Sequence, residues 1–216
     1  MCGESARAGD APVLPACKYA RTLSVREPRP RSRISALLVA GLSICAGALG
    51  VVPRRADAAS PCAKAGLVPN GRNGAAVDAA TLCLIDRIRA RHGLHRLRAN
   101  TQLHAVAASQ VASMLRWNYF ADIRPSGQTP LALVAVTPYR GHTSGISVGQ
   151  NIAWSSGGSG TPAHIVAEWM ASPPHRRIIL SGEYRDAGVA VTPALPSVLH
   201  RGRTGAVYAV EFGVRR

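Results

Sequence analysis

Aromatic side chains are scarce in this sequence, and lysine is almost absent. Phe, Trp and Tyr make up 5% of the 216 residues, and lysine occurs only at Lys18 and Lys64. The hydrophobic fraction is nevertheless 47%, which is enough for a core, so we expect that core to be largely aliphatic. The sequence also lacks the interleaved basic and aromatic residues that are typical of single-strand nucleic-acid binding.

Acidic residues are few as well. Eleven Asp and Glu stand against 26 Lys and Arg, which gives a formal net charge of +15. The charge is carried by arginines distributed along the chain, with no run of five basic residues and no zinc-finger, basic-zipper or ribonucleoprotein motif. We therefore expect no nucleic-acid partner. We interpret the excess of arginine over lysine as a bias of genome composition. Net charge bears on solubility and loose association rather than on fold.

One long uncharged hydrophobic run is present, from Ile34 to Val52. Three arginines lie in the five residues before it, and Ala56-Asp57-Ala58 follows it. This order is typical of a secretory signal peptide, so residues 1–59 are predicted to be a signal-peptide region and the mature protein to be secreted, either outside the cell or into its envelope. The alternative is a membrane anchor, since 19 residues can span a bilayer. The Gly, Ala and Ser content and the proline that ends the run favour cleavage.

Five cysteines occur, and three of them lie in the region predicted to be removed. The remaining two are Cys62, in a Gly-, Pro- and Asn-rich N-terminal arm (residues 60–76), and Cys83. An even pair in an exported protein is a disulfide candidate, so we predict a bond that joins the arm to the first helix. Two unpaired buried thiols are the alternative. The mature chain would carry 17 basic and 7 acidic residues, a net charge of +10.

Helix signals come first in the mature chain and strand signals come late. Apolar spacing and capping residues predict helices over 77–93, 101–117, 129–136 and 161–170, the last one stopped by Pro173-Pro174, and a further helical turn over 176–180. Alternating or β-branched segments predict strands over 147–155, 188–192 and 206–212. This order indicates an α+β domain over residues 77–216.

Several sequence blocks carry a more specific signal through their order and spacing. They are Leu82-Cys83-Leu84-Ile85-Asp86 with Arg91-His92-Gly93-Leu94, the Ala-rich helix ending in Met114, Tyr119-Phe120 before Pro125-Ser126-Gly127-Gln128-Thr129-Pro130, Val148-Gly149-Gln150-Asn151-Ile152-Ala153-Trp154, Trp169-Met170-Ala171-Ser172-Pro173-Pro174-His175-Arg176-Arg177-Ile178-Ile179-Leu180, Gly188-Val189-Ala190-Val191 and Glu211-Phe212-Gly213. Together they resemble the bacterial branch of the CAP superfamily (cysteine-rich secretory, antigen 5 and pathogenesis-related proteins), also called SCP domains.

The resemblance implies a three-layer α-β-α sandwich with an open cleft. In many relatives two His and acidic partners line this cleft and can hold a divalent metal. Matched by position, one His is retained as His175, the other is replaced by Asp122, and Glu is replaced by Gln150. His142 is close in sequence to Gln150 and is a further candidate. One imidazole and one carboxylate are fewer than the three protein ligands usual for catalytic zinc, so we predict a degenerate cleft with no metal or other cofactor.

A purely structural role for the cleft residues is also open: Gln150 and His175 would hydrogen-bond to each other and hold strand to loop. Two functions remain. One is a non-catalytic secreted module that binds a cell-envelope lipid or anionic polymer, since lipid and sterol binding is what the resemblance implies for several relatives. The other is a metal-assisted secreted hydrolase of peptide or envelope substrates. An Asp–His pair can orient a base, but the sequence has no Ser or Cys nucleophile motif, so the first function is favoured. The oligomeric state is left open.

Overall fold

The structure is a computed structural model that describes residues 62–200 and 202–216. The predicted signal-peptide region, residues 1–59, lies outside the described residues, and its cleavage stays a prediction. No helix in the described part of the chain is both long enough and apolar enough to cross a membrane.

Helices and strands alternate along the described residues and form an α+β fold. The strands form a mixed sheet in the order β1-β3-β4-β2, in which β1 pairs parallel to β3 and the other neighbours pair antiparallel. The bounds in chain order are α1 (Gly74–Arg91), β1 (Arg98–Ala99), α2 (Thr101–Arg116), α3 (Pro130–Ala135), β2 (Ile146–Ser156), α4 (Pro162–Ala171), α5 (Pro173–Ile179), β3 (Asp186–Thr192), α6 (Ser197–His200) and β4 (Gly205–Arg215).

Three helices begin where the capping residues predict. The Asn100 side chain accepts hydrogen bonds from two backbone amides of the first turn of α2, and Thr129 and Thr161 cap α3 and α4 in the same way. A proline at the first helical position follows each threonine, where its missing N–H costs nothing. The proline pair after α4 has a second role that the sequence analysis missed. Pro173 also begins α5, so this helix is longer than the predicted turn over 176–180.

The two faces of the sheet are covered by different helices, because side chains alternate along each strand. On β4, Tyr208, Val210 and Phe212 pack against α1, α4 and α5. Val207 and Ala209, which point the other way, pack against α2. The first part of α2 and α3 cover β2 on that same second face. The expected three-layer α-β-α sandwich is therefore confirmed.

The predicted disulfide is present. Cys62 and Cys83 are bonded, with their Cα atoms 5.8 Å apart. The backbone N–H of Ala163 in α4 also donates to the Ala65 carbonyl. The described part of the N-terminal arm is thus fixed to both α1 and α4.

Arg89 on α1 is fully buried, an unusual position for a charged side chain. Its guanidinium donates to backbone carbonyls of His95, Ile179, Ser181 and Tyr184. These carbonyls belong to the loop after α1, to the last residue of α5 and to the loop that follows α5, so one side chain satisfies buried backbone groups at the ends of two helices.

Candidate functional site

The candidate cleft site begins with a side-chain pair at the centre of the sheet. Gln150 on β2 and Glu211 on β4 are directly opposite in the antiparallel register. Both side chains are buried, and Gln150 Nε2 donates a hydrogen bond to Glu211 Oε1. They point to the same face as Ile152 and Ala209, which pack against α2. The amide and the carboxyl group therefore lie beneath α2, within the sandwich.

Gln110 connects this region to the loop after α2. Its side chain is fully buried, and Nε2 donates to the carbonyls of Ala121 at 2.9 Å and Asp122 at 3.4 Å. Its Oε1 accepts from Arg124 Nε at 3.0 Å. Gln110 thus fixes the loop that carries Asp122. The sequence analysis missed this residue, although a polar side chain within the apolar stripe of α2 was a usable signal.

Asp122 and His175 are brought close enough to interact electrostatically. Asp122 is exposed overall, but desolvation by the surrounding protein raises the pKa of its carboxyl group, and His175 partly offsets that rise. Burial lowers the pKa of His175, and Asp122 partly offsets that fall. The first turn of α5 holds His175, and the Asn151 side chain donates to its backbone carbonyl at 3.2 Å.

Glu211 is a functional candidate that the sequence analysis did not identify. Its burial raises the pKa of the carboxyl group to about 7, with the Gln150 hydrogen bond acting in the opposite direction and the nearby Asp122 adding to the rise. Glu211 lies in one of the sequence blocks that carry the resemblance, but its place in the site depends on the strand register that puts it opposite Gln150. A carboxyl group is therefore present beside position 150, where the resemblance expects one.

Four polar atoms in this region are buried and have no hydrogen-bond partner among the residues that the structure describes. They are Gln150 Oε1, Asn151 Oδ1, His175 Nδ1 and Glu211 Oε2. Gln150 Oε1 and Glu211 Oε2 lie on the face of the sheet that α2 covers, whereas the Asn151 side chain, one residue further along β2, points to the opposite face. Buried polar atoms are usually satisfied by protein or water, so the Gln150–Glu211 pair can hold water or a small polar group. The candidate residues together offer acceptors, a carboxyl group of raised pKa and an imidazole, but no activated nucleophile.

The side chains do not fit a divalent metal of the kind that the resemblance implies. No three His, Cys, Asp or Glu side chains in the described ranges are placed so that they could hold one ion. Glu211 Oε1 is already bonded to the Gln150 amide, and an amide oxygen brings no charge to balance a dication.

Two other expectations can be compared with the structure. The hypothesis of a Gln150–His175 hydrogen bond is wrong, because Gln150 binds Glu211 and it is Asn151 that reaches His175. His142 is exposed on the loop before β2. His142 comes before Ile146, the first residue of β2. Gln150 is four residues further along the strand than Ile146, which corresponds to about 13 Å. The described contacts do not join His142 to the other candidates.

A second concave feature, which we call the α1–α4 groove, lies between those two helices. Residues at helical spacing meet there from both sides, namely Leu84, Arg87, Ile88 and Arg91 of α1 and Ala163, Val166, Ala167 and Met170 of α4. His92 completes the lining, and the groove has a volume of about 560 Å³. Its floor is apolar, and its charged lining residues are arginines. The sequence analysis did not predict this groove, because it depends on which helices become neighbours.

Comparison with known proteins gives one family match. The profile described as CAP, cysteine-rich secretory protein family, matches residues 82–194, which is more than half of the chain. No curated protein sequence matches significantly.

Solved structures that are similar to this chain include three bacterial proteins of low sequence identity. An outer surface protein from Borrelia burgdorferi is 16% identical, with a TM-score of 0.48 and coverage of 62% of this chain and 90% of that one. An extracellular SCP-domain protein from Bacillus anthracis is 23% identical, with a TM-score of 0.46 and coverage of 67% and 40%. A cysteine-rich secretory protein from Staphylococcus aureus is 15% identical, with a TM-score of 0.47 and coverage of 66% and 40%. The match thus spans less than half the length of the last two.

Proposed function

This chain belongs to the cysteine-rich secretory protein (CAP) family, and from that membership we propose that it is a secreted, non-catalytic module that binds a single-chain anionic lipid of the cell envelope. The observation that carries the proposal is the α1–α4 groove, with its apolar floor and its two arginines. Export is supported by the predicted signal-peptide region and agrees with the Cys62–Cys83 bond, since disulfides persist mainly outside the cytoplasm.

The chemistry of the groove suits an acyl chain with an anionic end. Leu84, Ile88 and Val166 supply apolar contacts, and Met170 is a flexible side chain that adapts to irregular ligands. Arg87 and Arg91 stand one helical turn apart on α1, where guanidinium groups can bind a carboxylate or phosphate in a bidentate manner. The volume of about 560 Å³ lies within the usual range for small-molecule sites.

The cleft site gives less support to the hydrolase alternative. Its carboxyl group at Glu211 is engaged by Gln150, and Asp122 and His175 have no serine or cysteine nucleophile motif beside them. A general base also needs a substrate or water within hydrogen-bond reach. We therefore assign the cleft a structural or water-holding role in this proposal.

The experiment is a binding titration of hexadecanoic acid to the purified, delipidated protein, with hexadecanol as the uncharged comparison. We expect saturable binding of the acid and weaker binding of the alcohol. Ala167→Trp places a bulky ring in the groove from an exposed position and should abolish binding. Ala112→Trp, exposed on α2 in the opposite layer, is the matched control and should leave binding unchanged. Equal binding by both variants would rule out the groove as the lipid site.

A further inference from the structure

A separate small pocket opens at the edge of the sheet, between α1 and α2. Its volume is about 260 Å³, and Leu82, Ala187 and Val189 form much of its apolar wall. Two charged or titratable side chains line it, Asp78 from α1 and His104 from α2. Gln110 of the cleft site is six positions after His104 on α2, so the two residues are about 9 Å apart along the helix axis. The pocket therefore lies outside the cleft site and outside the α1–α4 groove.

The hydrogen bonds around His104 fix how its ring can be used. Nδ1 lies in hydrogen-bond contact with the Val189 carbonyl oxygen. A carbonyl oxygen can only accept, so Nδ1 must carry the hydrogen and donate it. The second ring nitrogen, Nε2, is then an acceptor whenever the imidazole is neutral.

Asp78 also presents unused acceptor capacity. Its Oδ2 lies 3.7 Å from His104 Nδ1, too far for a hydrogen bond. Its Oδ1 is enclosed and has no hydrogen-bond partner within the described residues, so a ligand in the pocket can reach this carboxyl group only at Oδ2. The nearby Asn100 oxygen is occupied by the first-turn amides of α2. The lining also includes the Asn100 side-chain amide nitrogen and the Thr101 hydroxyl, which can donate, but among the lining residues Asp78 is the only one with a carboxyl group.

A partly buried carboxylate without a cationic donor is energetically unfavourable. Burial raises the pKa of Asp78 to about 6, and His104 together with a backbone hydrogen bond from Val191 only partly offsets that rise. A ligand that carries a positive charge and N–H donors would relieve the cost of ionising Asp78. The small apolar wall leaves room for only a few methylene groups beside such a charge, since the volume is just below the usual range for ligand sites.

We propose that this pocket binds a primary alkylammonium group, with the ammonium beside Asp78 and His104 and the alkyl chain against Leu82, Ala187 and Val189. The group can come from a free amine or from the side chain of a lysine. The inference does not depend on lipid binding in the α1–α4 groove.

The test is titration of the purified protein with n-butylamine, followed by nuclear magnetic resonance of the His104 ring and by calorimetry. Butanol and butyrate, which match its size without the positive charge, are the comparison ligands. We expect saturable binding of the amine alone. Asp78→Asn should weaken it by at least about tenfold, the factor that corresponds to one lost charge-assisted hydrogen bond. Ala79→Phe, at an exposed position in the pocket lining, should block binding, whereas Ala90→Phe, exposed at the other end of α1, should not.

A second titration, with Nα-acetyl-lysine methylamide, distinguishes a free amine from a lysine side chain as the source of the ammonium group. Binding of both compounds assigns the pocket to a lysine side chain, and binding of butylamine alone assigns it to a free amine. Three results would each overturn the proposal. Butylamine, butanol and butyrate could shift the His104 ring resonances equally. Asp78→Asn could bind butylamine as the wild type does, or Ala79→Phe could retain butylamine binding. Because Ala79 is exposed, the last variant keeps the test decisive even if Asp78→Asn impairs folding.

Discussion

Glu211 and Gln150 place a carboxyl group and an amide side by side at the centre of the candidate site. The resemblance expects a carboxyl group at position 150, and this chain has an amide there. The carboxyl group lies directly opposite, on β4, and accepts from that amide. Because Glu211 is fully buried, its charged form loses solvation, and its pKa rises to about 7. This pair can therefore bind a proton near neutral pH, while one carboxyl oxygen is already bonded to the amide.

This pair predicts a pH dependence of stability. A carboxyl group whose pKa is raised in the folded state binds more protons when folded than when unfolded. Its contribution to the free energy of unfolding is thus fully present below the unfolded pKa of 4.5 and decreases as the pH rises to about 7. Urea denaturation from pH 4 to pH 8 should show the wild type losing stability relative to Glu211→Gln, by on the order of 3 kcal/mol. A stability difference between the two proteins that does not change with pH would contradict the prediction.

The residues of the candidate site were only partly predictable from the sequence. Asp122, Gln150 and His175 occupy positions marked by local motifs, and the structure brings Asp122 and His175 into electrostatic contact. Glu211 could not be found in this way, because its partner is set by strand register, which a single strand does not encode. Gln110 could have been found, since its position in the helical stripe already predicted burial.

At the scale of elements, the contact between α2 and β3 depends on the absence of one side chain. A Cβ atom built on Gly188 would lie 1.9 Å from the backbone nitrogen of His104. Backbone atoms at that distance cannot be avoided by a rotamer change, so the helix itself would have to move. This close approach positions the first turns of α2, and with them the wall of the pocket that contains Asp78 and His104.

Gly188→Ala should therefore be strongly destabilising. We expect a loss of about 3 kcal/mol or more in the free energy of unfolding, at the upper end of the usual cost of overpacking a core. Gly182→Ala is the control, because its added Cβ would meet only Leu94 Cδ2 at 3.6 Å, an ordinary contact distance. Urea denaturation of both variants is the measurement. Similar stabilities for the two would show that α2 adjusts at little cost.

The elements themselves were largely predictable where local signals were strong. Asn100, Thr129 and Thr161 mark helix starts through their own side chains. β1 and α6 were not predicted, since two and four residues are too short for a periodic pattern. The start of α5 was missed for a different reason. The proline pair after α4 can both end one helix and begin the next.

At the scale of the whole molecule, the N-terminal arm is held to the sandwich by two different contacts. The disulfide fixes Cys62 to α1, and the backbone bond from Ala163 to Ala65 fixes the arm to α4. Leu67 adds apolar contact with the core on the same face of the sheet. The arm therefore covers the layer formed by α1, α4 and α5 and connects two of its helices.

Removing the disulfide should lower the stability of the whole domain rather than detach the arm alone. The bond closes a sequence separation of 21 residues, for which the chain-entropy model gives about 3 kcal/mol. Denaturation of the oxidised protein, of the reduced protein and of the double variant Cys62→Ala/Cys83→Ala measures this cost. We expect the last two to agree with each other and to unfold at lower urea concentration in one cooperative transition. Alkylation of the unreduced, unfolded protein checks the bond itself. Two labelled cysteines would mean that these thiols are free. The arm would then be held by the Ala65 and Leu67 contacts alone.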